Sequence, residues 1–285
     1  ARIDSSRMPS ERPVGIVVAM EEEFLPFRRL VPDLRPVRGC GPWELFEGTA
    51  GARRVVIVVS DCGPANAAAA LERLVATFDP DLVLSGGSAG AHDAGLLPGD
   101  VVVGARYRIL FPPAVQEERS RQGLHRKGFR FRRDGRRHHP GGLAVPAALL
   151  SRAVAAGEEE LRALGAWTGP GWPEGVDHRL GKIVTGLVGS TDHWTTREEE
   201  VLALRELYGS ACEDMESAYL AQVCAFHGLP FLSVRTVSNN ELLRPLAPGD
   251  TNEAIARAGE RSARIVARIA AAEEPGRSGL LVEGP

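Results

Sequence analysis

The sequence contains few cysteines and no long hydrophobic run, and each shortage excludes a class of protein. Four cysteines stand far apart among 285 residues and none forms a CxxC pair, which argues against a zinc site or a disulfide framework. No segment approaches the roughly 18 consecutive apolar residues of a membrane span, and no signal-peptide pattern opens the chain. We therefore expect a cytoplasmic globular protein with no metal, no cofactor and no membrane partner.

The chain also lacks a large excess of charge of either sign, since its formal net charge is −3. The exception is a basic segment, in which nine Lys and Arg residues fall between Arg119 and Arg137 around Phe129 and Phe131. Such a segment could bind nucleic acid, form a solvated surface, or act as a lid that reaches an anionic part of a substrate or a neighbouring subunit. Since the rest of the chain is acidic, we favour the solvated surface and expect no nucleic-acid partner.

Short apolar runs that alternate with helical patterns indicate an α/β protein. Val14–Ala19, Arg54–Ser60 and Phe231–Val237 are typical of buried strands. The helix predicted over 67–78 lies between two such runs, and this βαβ pattern implies parallel strands with helices on the sheet faces. We expect a flexible leader over 1–13, one domain over 14–272 with an inserted basic loop or short hairpin at about 112–142, and a tail over 273–285.

The remaining elements follow from composition and from the turn residues between them. We predict strands over 43–49 and 179–188, helices over 144–164, 197–208, 219–227 and 251–272, a loop over 167–177, and a turn over 211–218.

A glycine-rich segment between two core strands is the first candidate site. The apolar run Leu82–Leu84 meets Ser85–Gly90, and a second apolar run begins at Val101. Glycines at the carboxyl end of a strand allow the backbone to approach a ligand that a β-carbon would exclude. Open α/β sheets bind ligands at that edge. The alternative is a tight turn that binds nothing.

Polar clusters at the ends of other strands favour the ligand site. Asp214 and Glu216 stand at the head of an apolar helix in the same predicted region. Polar residues gathered at one edge of an apolar sheet are typical of a small-molecule site. The strand-end clusters are 21–23, 61–66, 86–90, 190–194 and 235–240.

Several of these motifs, in this order and spacing, resemble one known family. The segments GIVVAMEEE, DPDLVLSGGSAG with LLPGDVVVG, and CEDMESAYLAQVCAFHGLPFLSVRTVSNN resemble the purine nucleoside phosphorylase/hydrolase superfamily, and within it the methylthioadenosine/S-adenosylhomocysteine nucleosidases. The resemblance implies a three-layer αβα sandwich with a central mixed β-sheet, cleavage of the N-ribosidic bond of a purine nucleoside, and a homodimer.

The resemblance also implies catalytic roles. Glu23 matches the general base that activates water, and Ser88 and Arg235 match positions that help to hold that water. Glu216 matches the glutamate that binds the ribose hydroxyls, and Met215 matches the residue packed under the sugar.

The purine is expected between an aromatic side chain and the glycine-rich segment. His193 or Trp194 falls where the family stacks an aromatic ring on the base, and Ala89 and Gly90 fall on its other side. Two further residues, Asp214 and Ser238, complete the expected substrate-binding set, although Asp214 also suits a helix cap.

Asn239 departs from the family pattern, because it stands where the family has an aspartate that donates a proton to N7 of the leaving purine. An amide can donate a hydrogen bond but has no titratable proton. Asn239 would therefore stabilise the leaving base electrostatically and relax the choice between adenine and a 6-oxopurine. Glu241 or Asp192 could supply the acid instead.

Three functions remain open. The first is hydrolysis of a 5′-substituted nucleoside similar to methylthioadenosine or S-adenosylhomocysteine. The second is a 6-oxopurine nucleosidase, similar to futalosine hydrolase, or a purine nucleoside phosphorylase. Three glutamates after the first strand disfavour phosphate as the nucleophile, because they repel an anion. The third is a nucleoside-binding protein without catalytic activity.

Overall fold

The computed structural model describes residues 12–39, 41–121, 128–272 and 279–283. The strands are β1 Val14–Val18, β2 Arg35–Val37, β3 Glu44–Ala50, β4 Arg53–Val59, β5 Leu82–Ala91, β6 Val101–Ile109, β7 Phe131–Arg133, β8 Arg136–His138, β9 Leu143–Ala144, β10 Ile183–Ser190, β11 Ser210–Asp214, β12 Phe231–Asn239 and β13 Leu281–Val282. The α-helices are α1 Glu21–Phe24, α2 Phe27–Leu30, α3 Pro64–Phe78, α4 Pro113–Arg121, α5 Ala147–Leu164, α6 Glu198–Tyr208, α7 Ser217–His227 and α8 Thr251–Ala271.

Eleven of the described strands form one mixed sheet. Its order is β13-β9-β6-β10-β11-β5-β1-β4-β3-β2, and β12 pairs with both β5 and β6. The central strand β5 runs parallel to β1 and β12, whereas β11 meets the carboxyl end of β5 in the antiparallel direction. As a result, the carboxyl ends of β5, β11 and β12 lie together at the middle of the sheet.

Helices cover both faces of this sheet. A β-carbon at Gly15 would meet Leu74 of α3, whereas one at Gly86 would meet Val266 of α8. Gly15 pairs with Val83, three residues before Gly86, and side chains alternate between the two faces along a strand. Helices α3 and α8 therefore lie on opposite faces, with α7 packed on α3 and α5 packed on α8. The predicted three-layer αβα sandwich with a central mixed sheet is confirmed.

The glycine-rich segment is part of a strand and is not a turn, which corrects one of the two interpretations above. Strand β5 continues through Ser85–Gly90 as far as Ala91, because β12 pairs with it along this whole length. The backbone hydrogen bonds of the ladder compensate for the low strand propensity of glycine.

The turn predicted over 211–218 is wrong in its first half. Ser210–Asp214 forms the fully buried strand β11 between β10 and β5. The charged pair Glu213 and Asp214 argued against a buried strand, and both carboxylates have buried partners in the structure.

Two predicted boundaries shift for identifiable reasons. Helix α5 begins at Ala147, not at 144, because Leu143–Ala144 pair with β6 as β9. Strand β10 begins at Ile183, not at 179, because the guanidinium of Arg179 turns aside to the buried Asp100, with Nη1 at 2.6 Å from Oδ1.

The basic segment contains more regular structure than a loop. Helix α4 forms the first part of the predicted insert and overlaps the start of the basic segment, and β7 pairs with β8 as the short hairpin that was one of the two predictions. Residues 122–127 lie outside the described part of the chain.

The chain ends differ partly from the predicted leader and tail. Residues 1–11 of the leader lie outside the described residues, whereas Arg12 donates from Nη2 to Asp79 Oδ1 at 2.6 Å. Within the predicted tail, Leu281–Val282 pairs with β9 and extends the sheet. None of the helices within the described ranges is long and apolar enough to cross a bilayer.

Candidate active site

The carboxyl ends of β1, β5, β11 and β12 surround one cavity of about 250 Å³. Every predicted site residue except Arg235 lines it. The lining residues are Ala19, Met20, Glu23, Cys62, Ser88, Ala89, Gly90, His193, Trp194, Glu213, Asp214, Met215, Glu216, Ser238, Asn239, Leu246, Thr251 and Ile255.

Glu23 is held at the cavity wall by backbone amides from two strands. Its side chain is buried, and its Oε2 accepts a hydrogen bond from the Ala19 amide at 3.1 Å. Its Oε1 accepts from the Ser88 amide at 2.8 Å and from the Ser88 hydroxyl at 3.2 Å. Burial raises the pKa of Glu23 above its ordinary value, and the positive charge of Arg235 opposes that rise. A buried carboxylate with a raised pKa suits a general base.

Arg235 lies behind the cavity wall and does not line the cavity. It is 1% exposed, its Nε forms an ion pair with Asp214 Oδ2 at 2.7 Å, and its Nη2 donates to Ser85 Oγ at 2.9 Å. Burial alone lowers the pKa of Arg235, but Asp214 and the cavity glutamates outweigh this and raise it. The guanidinium is therefore a fixed positive charge close to the carboxylates of Glu216 and Glu23.

Gly87 allows Glu23 and Arg235 to approach each other. A β-carbon at this position would overlap Arg235 Nη1 and would lie 2.5 Å from Glu23 Oε1. Position 87 therefore has no room for a side chain while Glu23 and Arg235 keep these positions.

Asp214 serves both as a counter-ion and as a helix cap. Its Oδ1 accepts from the Ser190 hydroxyl at 2.5 Å and from the Ser217 amide at 3.1 Å at the start of α7. Its Oδ2 pairs with Arg235 and also accepts from the Ser217 hydroxyl. These partners fix Asp214 in place and connect α7 to the buried arginine.

Glu216 faces the same cavity from the end of β11. Its Oε1 accepts a hydrogen bond from the Gly63 amide at 2.9 Å. Burial raises the pKa of Glu216 to about 7, and the negative charges of Asp214 and Glu23 contribute, while Arg235 opposes them. Glu23 and Glu216, which the sequence separates by most of the chain, are thus brought to one cavity.

Asn239 is oriented by two neighbours on either side of its amide. Its Oδ1 accepts from the Ser238 hydroxyl at 2.8 Å, and its Nδ2 donates to Glu241 Oε1 at 2.8 Å. Since a carboxylate can only accept, Glu241 fixes which end of the amide is the nitrogen. Glu241 does not line the cavity, and the exposed Asp192 bonds to His193 Nδ1 at 3.2 Å. Neither Glu241 nor Asp192 is among the residues that line the cavity, whereas Asn239 is.

An aromatic side chain stands opposite Gly90. A β-carbon at Gly90 would lie 3.4 Å from Asn239 Nδ2 and 3.7 Å from Trp194 Nε1. Trp194 is 43% exposed and lines the cavity together with the exposed His193. Trp194 and Asn239 therefore lie over Gly90, within van der Waals distance of the place that a β-carbon would take.

Seven lining residues are not among the predicted site residues, namely Ala19, Met20, Cys62, Glu213, Leu246, Thr251 and Ile255. Glu213 was missed because the segment was interpreted as a turn, and its pairing with Gly90 depends on the antiparallel arrangement of β11. Leu246 and Ile255 follow β12 and carry no chemical signal. Cys62 is half-buried, and burial together with the charges of Glu216 and Glu23 raises the pKa of its thiol to about 11.

No cluster of three or more metal-binding side chains occurs in the part of the chain that the structure describes.

Comparison with known proteins agrees with this geometry. The sequence model of the phosphorylase superfamily matches residues 13–271. The 5′-methylthioadenosine/S-adenosylhomocysteine nucleosidase of Colwellia psychrerythraea is 30% identical to this chain. The match covers 79% of this chain and 82% of the Colwellia sequence. The nucleosidase of the same name from Marinomonas is 28% identical to this chain, and the match covers 79% of this chain and 85% of the Marinomonas sequence.

Solved structures give the same result. The Neisseria meningitidis nucleosidase of the same name, in complex with methylthio-immucillin-A, superposes with a TM-score of 0.67 at 25% identity, covering 90% of this chain and 98% of that one. The futalosine hydrolase of Helicobacter pylori shares the fold, with a TM-score of 0.71 at 17% identity over 91% and 97% of the two chains. The chain therefore belongs to the phosphorylase superfamily and groups within it with the 5′-methylthioadenosine/S-adenosylhomocysteine nucleosidases.

Proposed function

We propose that this protein hydrolyses the N-ribosidic bond of a 5′-substituted purine nucleoside and releases the free base. The observation that carries the proposal is the convergence of Glu23 and Glu216 on one cavity, together with the buried Arg235 behind them. The relatives that match over most of this chain are nucleosidases by name.

Each step of the reaction has a candidate group. Glu216 accepts hydrogen bonds from the ribose hydroxyls and stabilises the positive charge that develops on the sugar. Glu23 and Ser88 hold a water molecule, and Glu23 takes its proton as the water oxygen bonds to C1′. The electron pair of the broken bond stays on the purine, and the Nδ2 of Asn239 donates a hydrogen bond to the base as it leaves. The purine anion then takes a proton from solvent, and Glu23 returns its proton to solvent.

Water is favoured over phosphate as the nucleophile. The described cavity lining contains four carboxylates, Glu23, Glu213, Asp214 and Glu216, and no lysine or arginine. A phosphate ion next to these groups would be repelled, at about 4 kcal/mol for a pair of like unit charges 4 Å apart near a protein surface. This charge distribution favours hydrolysis over phosphorolysis.

The apolar residues Met20, Leu246 and Ile255 support a substituent on the 5′ carbon. They line the cavity on the side of α1 and α8 and offer no hydrogen-bonding group to a free hydroxyl. An alkylthio group would bury apolar surface there, at roughly 25 cal/mol for each Å².

The test is to incubate the protein with 5′-methylthioadenosine, 5′-methylthioinosine, S-adenosylhomocysteine and inosine, with and without phosphate, and to measure free base. We expect base release without phosphate and a higher kcat/KM for the 5′-substituted nucleosides. Release that requires phosphate would make the protein a phosphorylase. Tight binding of intact nucleoside without release would make it a binding protein.

We further propose that the protein is a homodimer in the cytoplasm. The free thiols of Cys212 and Cys224 are buried and unpaired, which suits a reducing compartment. The apolar groove that contains Phe131 and Phe226, whose rings lie 5.8 Å apart, is a surface that a second copy could cover. Sedimentation equilibrium tests the dimer, and a monomer at micromolar concentration would contradict it. Fractionation of the cells that express the protein tests the location.

A further inference from the structure

The loop over 166–180, called the tryptophan loop below, is a compact unit next to the cavity. Its first and last residues are joined by an isolated antiparallel bridge. Trp167 is 1% exposed and Trp172 is 9% exposed, and both pack in a small apolar cluster with Ala258 of α8. The Trp172 indole also donates from Nε1 to the Val176 carbonyl at 2.9 Å. None of the loop residues, all of which the structure describes, lines the cavity.

The segment that follows β12 contributes one side chain to the cavity. It begins at Asn240, whose Nδ2 donates to the Leu96 carbonyl at 2.7 Å, and Leu246 is its cavity-lining residue. Residues 241–247 form turns and extended backbone rather than a helix or a strand, and 243–245 are exposed. The position of Leu246 therefore depends on the contacts that this segment makes with its neighbours.

The tryptophan loop supplies two of these contacts. Arg244 donates from Nη1 to the Trp172 carbonyl at 2.9 Å. The backbone of Gly171 lies beside Leu246 itself, because a β-carbon at Gly171 would be 3.2 Å from Leu246 Cδ1. Gly171 has a φ of +82°, a conformation that glycine adopts readily and other residues rarely do. The loop and the segment thus meet through one hydrogen bond and one apolar contact.

The tryptophan loop can hold the segment in place because α8 holds the loop. Arg257 donates from Nη1 to Thr168 Oγ1 at 2.9 Å. Arg261 donates from Nη2 to the Gly165 carbonyl at 2.9 Å, and its guanidinium lies 5.6 Å from the centre of the Trp167 ring, within the range of a cation–π contact. Two residues of α8 line the cavity, so the loop is fixed to an element that is itself part of the site.

We propose that Arg244 is a positioning residue that fixes Leu246 in the cavity wall through the tryptophan loop. Its hydrogen bond to the Trp172 carbonyl orders the segment in the free protein, so a substrate does not have to order Leu246 as it binds. The proposal rests on the proposed function for the group that Leu246 contacts, namely the apolar 5′ substituent. Loss of the hydrogen bond should therefore weaken binding of a nucleoside with an apolar 5′ group more than binding of one with a 5′ hydroxyl.

The experiment compares Arg244→Met with the unaltered protein on 5′-methylthioadenosine and on adenosine. Methionine retains an unbranched apolar side chain and has no donor. We expect KM for 5′-methylthioadenosine to rise by about threefold to tenfold, the effect of one hydrogen bond, while KM for adenosine and both kcat values change little. Arg244→Lys retains a donor and should restore most of the lost preference. Equal rises in KM for the two nucleosides, or a fall in kcat alone, would overturn the proposal.

A double-variant cycle tests whether Arg244 acts through Leu246. Leu246→Ala removes the side chain that Arg244 is proposed to hold, so adding Arg244→Met to Leu246→Ala should raise KM no further. Losses that add up in the double variant would show that the two residues act independently and would overturn the proposal.

The matched control is Arg257→Met, which removes a hydrogen bond to the same loop at Thr168 and leaves the segment of Leu246 untouched. It should leave both KM values unchanged. A rise in KM as large as that of Arg244→Met would mean that any loosening of the loop has this effect, and would overturn the role assigned to Arg244.

The outcome separates this proposal from the proposed hydrolysis. If neither nucleoside is cleaved, the hydrolysis fails, and dissociation constants from calorimetry on the same nucleosides and variants decide the role of Arg244. Equal affinity of the unaltered protein for the two nucleosides would contradict the place assigned to Leu246 and would overturn the proposal.

Discussion

At the scale of single residues, Glu23 is subject to two opposing influences. Burial favours its neutral form, whereas Arg235 and three backbone amides favour the carboxylate. The net effect is a pKa above that of an ordinary glutamate, which makes the Glu23 carboxylate more basic than an exposed one. Ser88, which donates from both its amide and its hydroxyl, orients the carboxylate.

The first prediction concerns this base. Glu23→Gln should reduce kcat by about 10²- to 10⁴-fold, the usual contribution of general acid–base catalysis, while Kd for a substrate nucleoside changes little. Single-turnover kinetics and calorimetric binding measure the two quantities. Glu21→Gln is the matched control, because Glu21 is exposed on the same short helix. Turnover that survives in Glu23→Gln would refute the assigned base.

The second prediction concerns pH and Glu216. Its pKa of about 7 in the folded protein lies above the ordinary 4.5, so the folded state holds a proton that the unfolded chain has already lost. This contribution to stability is complete below pH 4.5 and is lost as the pH rises through 7.

Glu216→Gln cannot ionise and should therefore gain stability relative to the unaltered protein between pH 5 and pH 8. The gain should be up to roughly 3 kcal/mol, at 1.36 kcal/mol for each pH unit. Urea unfolding at the two pH values measures it, with the exposed Glu44→Gln as a control. Parallel pH profiles for Glu216→Gln and the unaltered protein would show that the Glu216 proton does not contribute.

At the scale of secondary structure, β5 connects the halves of the site. It pairs with β1, β12 and β11, so its residues 87–90 lie next to Glu23, Arg235, Asn239 and Glu213. A glycine is required at Gly87, because Arg235 and Glu23 occupy the space that a β-carbon would take there.

The third prediction tests this crowding. Gly87→Ala should force Glu23 and Arg235 apart, reduce kcat at least tenfold and lower the free energy of unfolding by about 1–3 kcal/mol, as overpacking does. Steady-state kinetics and urea unfolding measure both effects. Gly249→Ala is the control, because a β-carbon there meets nothing within 4 Å. Full activity in Gly87→Ala would mean that the two charged groups can separate without loss.

The sequence predicted elements whose signal is local and missed those that depend on partners. Helix α8 was predicted almost to the residue, since its apolar stripe is long and periodic. Strand β11 was missed because Glu213 and Asp214 are strand-breaking in isolation, and only Thr195 and Arg235, distant in sequence, make them tolerable there. Likewise, Glu23 and Glu216 could be proposed from motifs, whereas the pairing of Glu213 with Gly90 required the register of two strands.

At the scale of the whole molecule, the end of the chain is part of the sheet. Leu280 is 5% exposed and belongs to the main core, and the next residue, Leu281, is 56% exposed and pairs with Ala144 in β9. The segment 279–283 therefore covers an edge of the sheet and contributes to the stability of the domain.

The fourth prediction compares these two leucines. Leu280→Ala should lower the free energy of unfolding by about 2–5 kcal/mol, as other buried leucines do. Leu281→Ala should change it by less than about 0.5 kcal/mol, because its side chain is exposed. Urea unfolding measures both, and equal effects would show that the segment does not pack as described.

The surroundings of Cys62 have a consequence for inhibitor design. A thiol reacts with electrophiles as its thiolate, and burial, together with the negative charges of Glu216 and Glu23, raises the pKa of this one to about 11. A compound with a maleimide or chloroacetamide warhead would therefore label it slowly, although Cys62 lines the cavity. Covalent probes aimed at this protein would do better with a group that reacts with carboxylates.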